Sequence, residues 1–293
     1  MTVDIAFSIN RTLQVPLLVV LNSILSNTTH QEQEAPLRFN IVVPVGEVDF
    51  FKEKLAAAFL ADDSPEKYDP NRVEFRVREF SPPAYLEQYL DNKFQEKKPE
   101  RRLSRYMQYA RLFFKDVFPD VGRLIYFDAD IIVLGDVRSL FAQGNILTPQ
   151  NYLAAVPQFF PAIFYFSNPL KVLSELRQFK NTFNSGVLLT DLSFWTEQTY
   201  NLLKHYLTLD EKNNYRLYHL GDETIFNLMF KDTYVPLSKD WNCCGYGQAY
   251  WVTSLIRKDP KKMKAIHWSG GHHKPWENER VIYSDLWRSY LPA

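Results

Sequence analysis

The sequence predicts an α/β protein with a mainly parallel sheet, and three observations support this class. Apolar, β-branched runs that suit strands alternate with segments whose apolar residues recur every three or four positions. No Gly/Ser-rich linker, internal repeat or low-complexity tract interrupts this alternation. The chain has 293 residues, of which 46% are hydrophobic, so it is long enough to bury a full core. Ligands of such sheets bind beyond the carboxyl ends of the strands.

The first third of the chain repeats a unit of strand and helix. The predicted strands and helices alternate at residues 5–9, 16–25, 39–45 and 50–60. The polar stretch 62–70 contains two prolines and predicts a loop, and the alternation over residues 73–78 predicts a half-exposed strand. Residues 81–98 open on two prolines and run into a charged segment, which predicts a surface excursion.

A long helix and a buried strand follow. Apolar residues recur at helical spacing over residues 103–118, and residues 123–127 are a buried strand just after them. The second half of the chain has weaker signals. Its predicted strands are residues 153–156, 186–189, 234–235 and 265–268, and its predicted helices are residues 199–209 and 223–230.

Charge and hydropathy argue against a nucleic-acid partner and against a membrane span. Lys+Arg and Asp+Glu both number 34, so no net field holds a polyanion or an acidic membrane by charge alone, and we expect no nucleic-acid partner. No apolar run approaches the roughly 18 to 20 residues that span a bilayer, so we expect no membrane span in this chain. A cytoplasmic protein, soluble or peripheral to the membrane, is the expectation, with the Golgi lumen as the alternative for a trimmed chain. The adjacent Cys243 and Cys244 predict two reduced, buried thiols.

Two carboxylates follow the buried strand. Asp128 and Asp130 are separated by Ala129, and in an extended chain residues i and i+2 point to the same side. The two negative charges would repel each other unless a divalent cation lay between them. Mg²⁺ and Mn²⁺ both prefer oxygen ligands and accompany phosphate-bearing substrates. The pattern therefore predicts a metal site at the end of this strand.

Two alternatives stay open for this pair. One aspartate could cap the following turn while the other is solvated. Haloacid-dehalogenase-like phosphatases also place two aspartates after a buried strand, but they have Thr or Val where Ile132 stands here. Their acidic pair after a suitably placed lysine is also missing downstream.

A second motif lies near the C-terminus. His267 leaves a predicted strand and could offer its imidazole to the same cation, which favours Mn²⁺ over Mg²⁺. Gly270 and Gly271 allow backbone N–H groups to approach a diphosphate, and Lys274 adds a positive charge. A Gly-rich surface turn with incidental histidines is the alternative. His272 and His273 are interpreted as bystanders.

With both motifs, the sequence resembles glycosyltransferase family 8. This family of retaining enzymes includes glycogenin, bacterial lipopolysaccharide galactosyl- and glucosyltransferases, and plant galacturonosyltransferase-like proteins. The resemblance covers nearly the whole chain. It rests on five stretches, at residues 4–8, 109–112, 126–134, 183–189 and 267–276. The run from Asp222 to Asn227 also looks like the family's acidic stretch at a helix start.

The resemblance implies a GT-A fold in a single domain of residues 1–293, with a nucleotide-binding half at 1–135 and a sugar- and acceptor-binding half at 136–293. The implied metal ligands are Asp128, Asp130 and His267, with Mn²⁺ as the ion and Mg²⁺ as the alternative. The implied catalytic residues are Asn184, Asp222 and Glu223. The implied contacts of the nucleotide sugar are Ser8, Ile9, Asn10, Thr12, Arg111, Asp128, Ala129, Asp130, Ser185, Gly186, Gly270 and Lys274.

The sequence departs from the family pattern at two places. Asp222-Glu223 stands where the family commonly has Asp-Gln, so a carboxylate would face the anomeric centre, as a stabilising charge or as a nucleophile. The spacing from His267 to Lys274 exceeds the family's usual spacing by one residue, which could move Lys274 or transfer its role to a neighbouring residue.

The implied activity is retaining, metal-dependent transfer of a hexosyl or hexuronosyl group from a UDP-sugar to a glycan or other hydroxyl acceptor. UDP-galacturonate, UDP-galactose and UDP-glucose are the candidate donors. A catalytically inactive nucleotide-sugar-binding subunit of a glycan-assembly complex is the rival interpretation. Homo-oligomerisation is left open.

Overall fold

The computed structural model describes residues 2–28, 34–60, 69, 71–158, 160–179 and 181–292. The strands are β1 (Val3–Ser8), β2 (Leu37–Pro44), β3 (Val73–Phe80), β4 (Arg123–Phe127), β5 (Ile131–Val133), β6 (Leu153–Gln158), β7 (Thr182–Asp191), β8 (Val235–Pro236) and β9 (Ala265–His267). The α-helices are α1 (Gln14–Asn27), α2 (Val48–Phe59), α3 (Ala84–Phe94), α4 (Pro99–Ala110), α5 (Phe114–Val117), α6 (Val137–Gln143), α7 (Leu173–Leu176), α8 (Glu197–Glu211), α9 (Asp222–Phe230), α10 (Tyr250–Leu255) and α11 (Ser284–Arg288).

Seven strands form the central sheet in the order β3-β2-β1-β4-β7-β6-β8. The pairs β3/β2, β2/β1, β1/β4 and β6/β8 are parallel, whereas β4/β7 and β7/β6 are antiparallel. The prediction of a mainly parallel sheet flanked by helices is therefore confirmed. Buried apolar side chains form clusters that draw on the sheet and on the helices packed against it.

A separate two-stranded ribbon carries part of the site. Strand β5 pairs antiparallel with β9, and Ile131 lies opposite His267. The backbone N–H of Trp268 also donates to the carbonyl of Asp130 at 3.0 Å. This pairing brings a residue from the end of the chain beside the two aspartates that follow β4.

The expected surface excursion at residues 81–98 was wrong. The segment contains helix α3, whose Leu86, Tyr89 and Leu90 are buried in the core. These residues have the i, i+3, i+4 spacing of an apolar helix face, and the preceding prolines only fix where the helix starts.

The long helix expected over residues 103–118 was also wrong in its bounds. Helix α4 begins at Pro99, a favourable residue for the first turn, and ends at Ala110. A 3₁₀ turn at Arg111–Phe113 then separates it from α5. The predicted loop at residues 62–70 lies outside the described residues, apart from Asp69.

The two cysteines are unpaired, as predicted. Cys243 is buried, as expected, whereas Cys244 is partly exposed, so the expectation of two buried thiols was wrong for Cys244. No helix in the described part of the chain is both long enough and apolar enough to span a membrane.

Candidate active site

The structure brings Asp128, Asp130 and His267 into one cluster. One ligand atom from each lies within 4.8 Å of the others. His267 Nε2 is 3.1 Å from Asp130 Oδ1 and 3.8 Å from Asp128 Oδ2. Two carboxylates and an imidazole form a donor set that suits Mn²⁺ and, with less preference for the nitrogen, Mg²⁺.

The backbone around this cluster approaches closely. Asp128 N–H donates to the carbonyl of Gly186 on the neighbouring strand β7, at 2.8 Å. A Cβ atom at Gly186 would lie 2.3 Å from His267 Cε1 and 2.9 Å from Asp128 Oδ2. Only glycine therefore fits here, and because it has no side chain, Asp128, Asp130 and His267 have room to converge. The cluster passes this geometric test of a metal site.

Two hydrogen-bonded side-chain amides orient the His267 imidazole on the side that faces away from the aspartates. His267 Nδ1 lies 2.9 Å from Asn242 Oδ1, which favours a proton on Nδ1 and leaves Nε2 free to face the aspartates. Asn242 Nδ2 in turn donates to Asn184 Oδ1 at 2.9 Å. Asn242 was not predicted from the sequence, because its position after Trp241 carries no signal of a role at this site.

Lys274 reaches the metal cluster despite the extra residue in its loop. Its Nζ donates to Asp130 Oδ2 at 2.6 Å and to the carbonyl of Trp268 at 2.7 Å. The loop absorbs its length by a turn in which the N–H groups of His272 and His273 both donate to the carbonyl of Gly247. Burial opposes the charge of Asp130, but His267 and Lys274 lower the pKa of this carboxyl below its ordinary value.

Arg111 joins the metal cluster to the acidic pair. The side chain is buried, donates to Asp222 through Nε at 2.6 Å and through a second guanidinium nitrogen, and donates to Asp128 Oδ1 at 3.2 Å. It also donates to the carbonyl and the hydroxyl of Ser185. Burial lowers the pKa of Arg111, but Asp222 and Asp128 outweigh this effect and raise the pKa above its ordinary value.

Asp222 lies at the first turn of α9 and is fully buried. Its Oδ2 accepts from Arg111, while its Oδ1 has no hydrogen-bond partner among the described residues. Burial raises the pKa of Asp222, and Arg111 opposes this shift. The Asp222 carboxyl thus has one oxygen free to accept a hydrogen bond, while its other oxygen is held by the Arg111 guanidinium.

Glu223, the next residue, is held by several donors. Tyr165 Oη at 3.0 Å and Gln158 Nε2 at 3.2 Å donate to its Oε1, and Asn184 Nδ2 at 2.8 Å donates to its Oε2. Burial raises the pKa of this carboxyl above its ordinary value. Asn184 therefore connects Glu223 to Asn242, and through it to His267.

Two adjoining cavities meet at the metal cluster. The first, here called the nucleotide-side cavity, has a volume of about 280 Å³, and the second, the sugar-side cavity, has about 540 Å³. Both are lined by Gln108, Arg111, Asp128 and Asp130. A ligand that extends through both cavities would therefore pass directly over the metal cluster.

Most of the predicted site residues line these cavities. Ser8, Ile9, Asn10, Ala129 and Lys274 line the nucleotide-side cavity. The sugar-side cavity is lined by the predicted residues Asn184, Ser185, Asp222, Glu223, His267 and Gly270, the last with a φ of 113°. Gly186 packs behind the metal ligands. Thr12 does not line either cavity; its hydroxyl donates to Asn10 Oδ1 at 2.6 Å.

Several lining residues were not predicted. Ser104, Met107 and Gln108 of α4 line the nucleotide-side cavity together with Trp276. The first three precede Arg111 by seven, four and three positions, so they share one helix face with it. This spacing could have identified them. Gln158 and Gln248, which line the sugar-side cavity, gave no such signal.

Solved structures with the same architecture define the class. The galactosyltransferase LgtC, solved in complex with donor and acceptor sugar analogues, aligns with a TM-score of 0.66 and 17% identity, over 98% of this chain and 95% of that chain. GlyE of Streptococcus pneumoniae aligns with a TM-score of 0.64 and 18% identity, over 99% of this chain and 60% of that chain. The fold is that of the GT-A glycosyltransferases.

The sequence places the chain within this class. The family model of glycosyl transferase family 8 matches residues 4–280, so the chain belongs to this family. Probable galacturonosyltransferase-like 4 of Arabidopsis thaliana is 29% identical over 64% of this chain and 55% of its own length. Glycosyltransferase GlyF of Streptococcus pneumoniae is 29% identical over 63% of this chain and 42% of its own length. The matches span about half the length of these curated relatives.

Proposed function

We propose that this chain transfers a hexosyl or hexuronosyl group from a UDP-sugar to a hydroxyl of a glycan or glycoconjugate, with retention of the anomeric configuration. The observation that carries this proposal is the metal cluster placed where the two cavities meet. A nucleoside diphosphate sugar needs such an arrangement, because its diphosphate lies between its nucleoside and its sugar.

Asp128, Asp130 and His267 are proposed to hold the divalent cation, Mn²⁺ or alternatively Mg²⁺. When bound, the ion would neutralise the negative charge that builds up on the departing diphosphate. Lys274 is proposed to exchange its contact with Asp130 for a phosphate oxygen, since the cation would then compensate that carboxylate. Ser8, Ile9 and Asn10 would border the uridine, and Asn10 would be fixed by Thr12.

The residues of the sugar-side cavity are proposed to orient and stabilise the reacting sugar. The free Oδ1 of Asp222 would accept a bond from a sugar hydroxyl, because a buried carboxylate oxygen without a partner is costly. Glu223 would stabilise positive charge at the anomeric carbon. We assign it this electrostatic role and not that of a nucleophile, since the donors on both of its oxygens lower their reactivity.

The nature of the relatives suggests the first donors to test. The relatives include a protein named as a probable galacturonosyltransferase and a structural neighbour titled as a galactosyltransferase. We therefore propose UDP-galacturonate and UDP-galactose as first candidates and UDP-glucose as the next. We also propose that residues 1–293 act as a single domain, with the nucleotide bound mainly by residues 1–135.

The test is release of UDP from these donors in the presence of Mn²⁺. The proposal predicts turnover by the native chain, loss of turnover in Asp130→Ala, and a first-formed sugar product with the anomeric configuration of the donor. Asp136→Ala is a control, because this aspartate caps α6 and lies outside both cavities. Metal-dependent binding of every donor without turnover, also with glycan acceptors, would instead indicate an inactive nucleotide-sugar-binding subunit.

A further inference from the structure

A basic segment precedes strand β9. Five of the eight residues from 257 to 264 are basic and one, Asp259, is acidic, so this segment alone carries a net charge of 5 − 1 = +4. The basic residues are Arg257, Lys258, Lys261, Lys262 and Lys264, all of them exposed. The net charge of zero over the whole chain therefore conceals a local positive field.

Helix α10 exposes large apolar side chains directly before this segment. Trp251 is 71% exposed, Leu255 is 78% exposed and Tyr250 is 41% exposed. Trp251 and Leu255 are four positions apart and so lie on one face of the helix. Thr253 on the opposite side is buried, which fixes the helix to the protein with its apolar face outward.

We propose that α10 and the basic segment form a docking surface for an anionic lipid bilayer. This membrane surface comprises Tyr250, Trp251, Leu255, Arg257, Lys258, Lys261 and Lys262. Tryptophan and tyrosine prefer the depth of lipid headgroups, and each basic residue near an anionic leaflet adds attraction. A nucleic acid would account for the basic residues and could stack on Trp251, but only a bilayer also accounts for the 78% exposed Leu255.

The membrane surface adjoins residues that line the sugar-side cavity. The ring of Tyr250 stacks on the ring of His273 at a centroid distance of 4.2 Å, in the loop that also carries Gly270. Gln248, two residues before Tyr250, lines the cavity. Docking would thus hold the cavity near the lipid headgroups, where a membrane-linked acceptor would be concentrated. This consequence rests on the proposed function, but the docking itself does not.

Co-sedimentation of the purified full chain with lipid vesicles tests this inference. We expect binding to vesicles of phosphatidylcholine with about 30% phosphatidylglycerol, weak binding to phosphatidylcholine alone, and weaker binding as salt is added. Lys261→Glu/Lys262→Glu should lower the affinity for the anionic vesicles by about tenfold or more. Trp251→Ser/Leu255→Ser should also weaken binding, because less apolar surface enters the interface.

Matched variants separate this effect from general damage. Lys97→Glu/Lys98→Glu makes the same charge change at another exposed pair, and Ile146→Ser removes another exposed apolar side chain; both should bind like the native chain. UDP release without vesicles should be the same in the native chain and in the variants of the membrane surface. If the native chain released no UDP, that result would contradict the proposed function but not the docking surface. Equal binding of the native chain and the Lys261/Lys262 variant to the anionic vesicles would overturn the inference. Self-association of the native chain that is lost in the Trp251/Leu255 variant would also overturn it, because the surface would then be an interface between copies of the chain.

Discussion

At the scale of single residues, the imidazole of His267 depends on a contact that faces away from the metal cluster. Asn242 accepts from His267 Nδ1 and donates to Asn184, so one amide fixes both a metal ligand and a residue of the sugar-side cavity. Such partners of metal-bound histidines set the orientation and the tautomer of the ring. Asn242 is therefore a positioning residue.

Asn242→Ala should weaken Mn²⁺ binding by about 10- to 100-fold, because the imidazole loses its orienting acceptor. Asn242→Asp retains an acceptor for Nδ1 and should restore much of the affinity. The measurement is a calorimetric Mn²⁺ titration of the metal-free protein. The control is Asn227→Ala, which removes a similarly buried amide bonded to the backbone of Phe183. An equal loss of affinity in the Asn227 variant would assign the effect to general destabilisation.

Glu223 gives a prediction about pH. Burial raises its pKa in the folded protein, so the folded state holds this proton more tightly than the unfolded chain does. Its contribution to stability is thus fully present below the unfolded pKa and is lost as the pH rises through the folded pKa. Glu223→Gln removes this loss of stability, because glutamine does not ionise. The free energy of unfolding of the variant, relative to the native chain, should therefore increase from about pH 4 to about pH 7.

Denaturant unfolding of both proteins over this pH range measures the effect. Glu53→Gln, at an exposed position of α2, is the matched control, because it makes the same substitution away from the core. If the Glu223 variant behaved in the same way, the buried carboxyl would not be the source of the pH dependence.

At the scale of the elements, helix α3 shows how a segment that looks polar joins the core. Its apolar face contacts the main buried cluster, and Lys93 at its end forms a buried ion pair with Asp210 of α8, at 2.6 Å. The sequence pattern was dominated by the two prolines before this helix and the charges after it. The partner of Lys93 lies 117 residues further along the chain, so local reasoning could not identify the pair.

Leu86→Ala should lower the free energy of unfolding by about 2 to 5 kcal/mol, because the leucine is fully buried and its removal leaves a cavity. Gln88→Ala, on the exposed side of the same helix, should change it by no more than about 0.5 kcal/mol. Chemical denaturation of both variants tests this. Similar small effects for the two would mean that α3 does not contribute to the core as described.

The strands of the first half were predictable because their apolar runs are long and bounded by clear helices and loops. The antiparallel insertion of β7 between β4 and β6 was not, because an apolar run does not reveal the direction of its neighbours. The same holds for the ribbon that places His267 opposite Ile131. Before the structure, the place of His267 after a predicted strand and the resemblance to a known family suggested that it shares a cation with the aspartates, but neither revealed its pairing with β5.

At the scale of the whole molecule, the central feature is a single junction shared by two cavities. Asp128 and Asp130 were predictable as metal ligands because they lie close together in the sequence. The hydrogen bonds that connect His267 to Glu223 join distant residues, such as Asn184 and Asn242, which are 58 positions apart. A pattern along the chain can reveal ligands that a single strand presents. It cannot reveal bonds that form only when β7, β9 and α9 have been assembled.

Mn²⁺ binding in the presence of UDP, followed by the electron paramagnetic resonance signal of free Mn²⁺, is the most direct test of this junction. We expect the native chain to bind one Mn²⁺ ion at this cluster and UDP to tighten this binding, because its diphosphate would supply further oxygen ligands. Asp128→Asn/Asp130→Asn should abolish both effects. Equal binding by the native chain and the double variant, with no effect of UDP on either, would contradict this expectation.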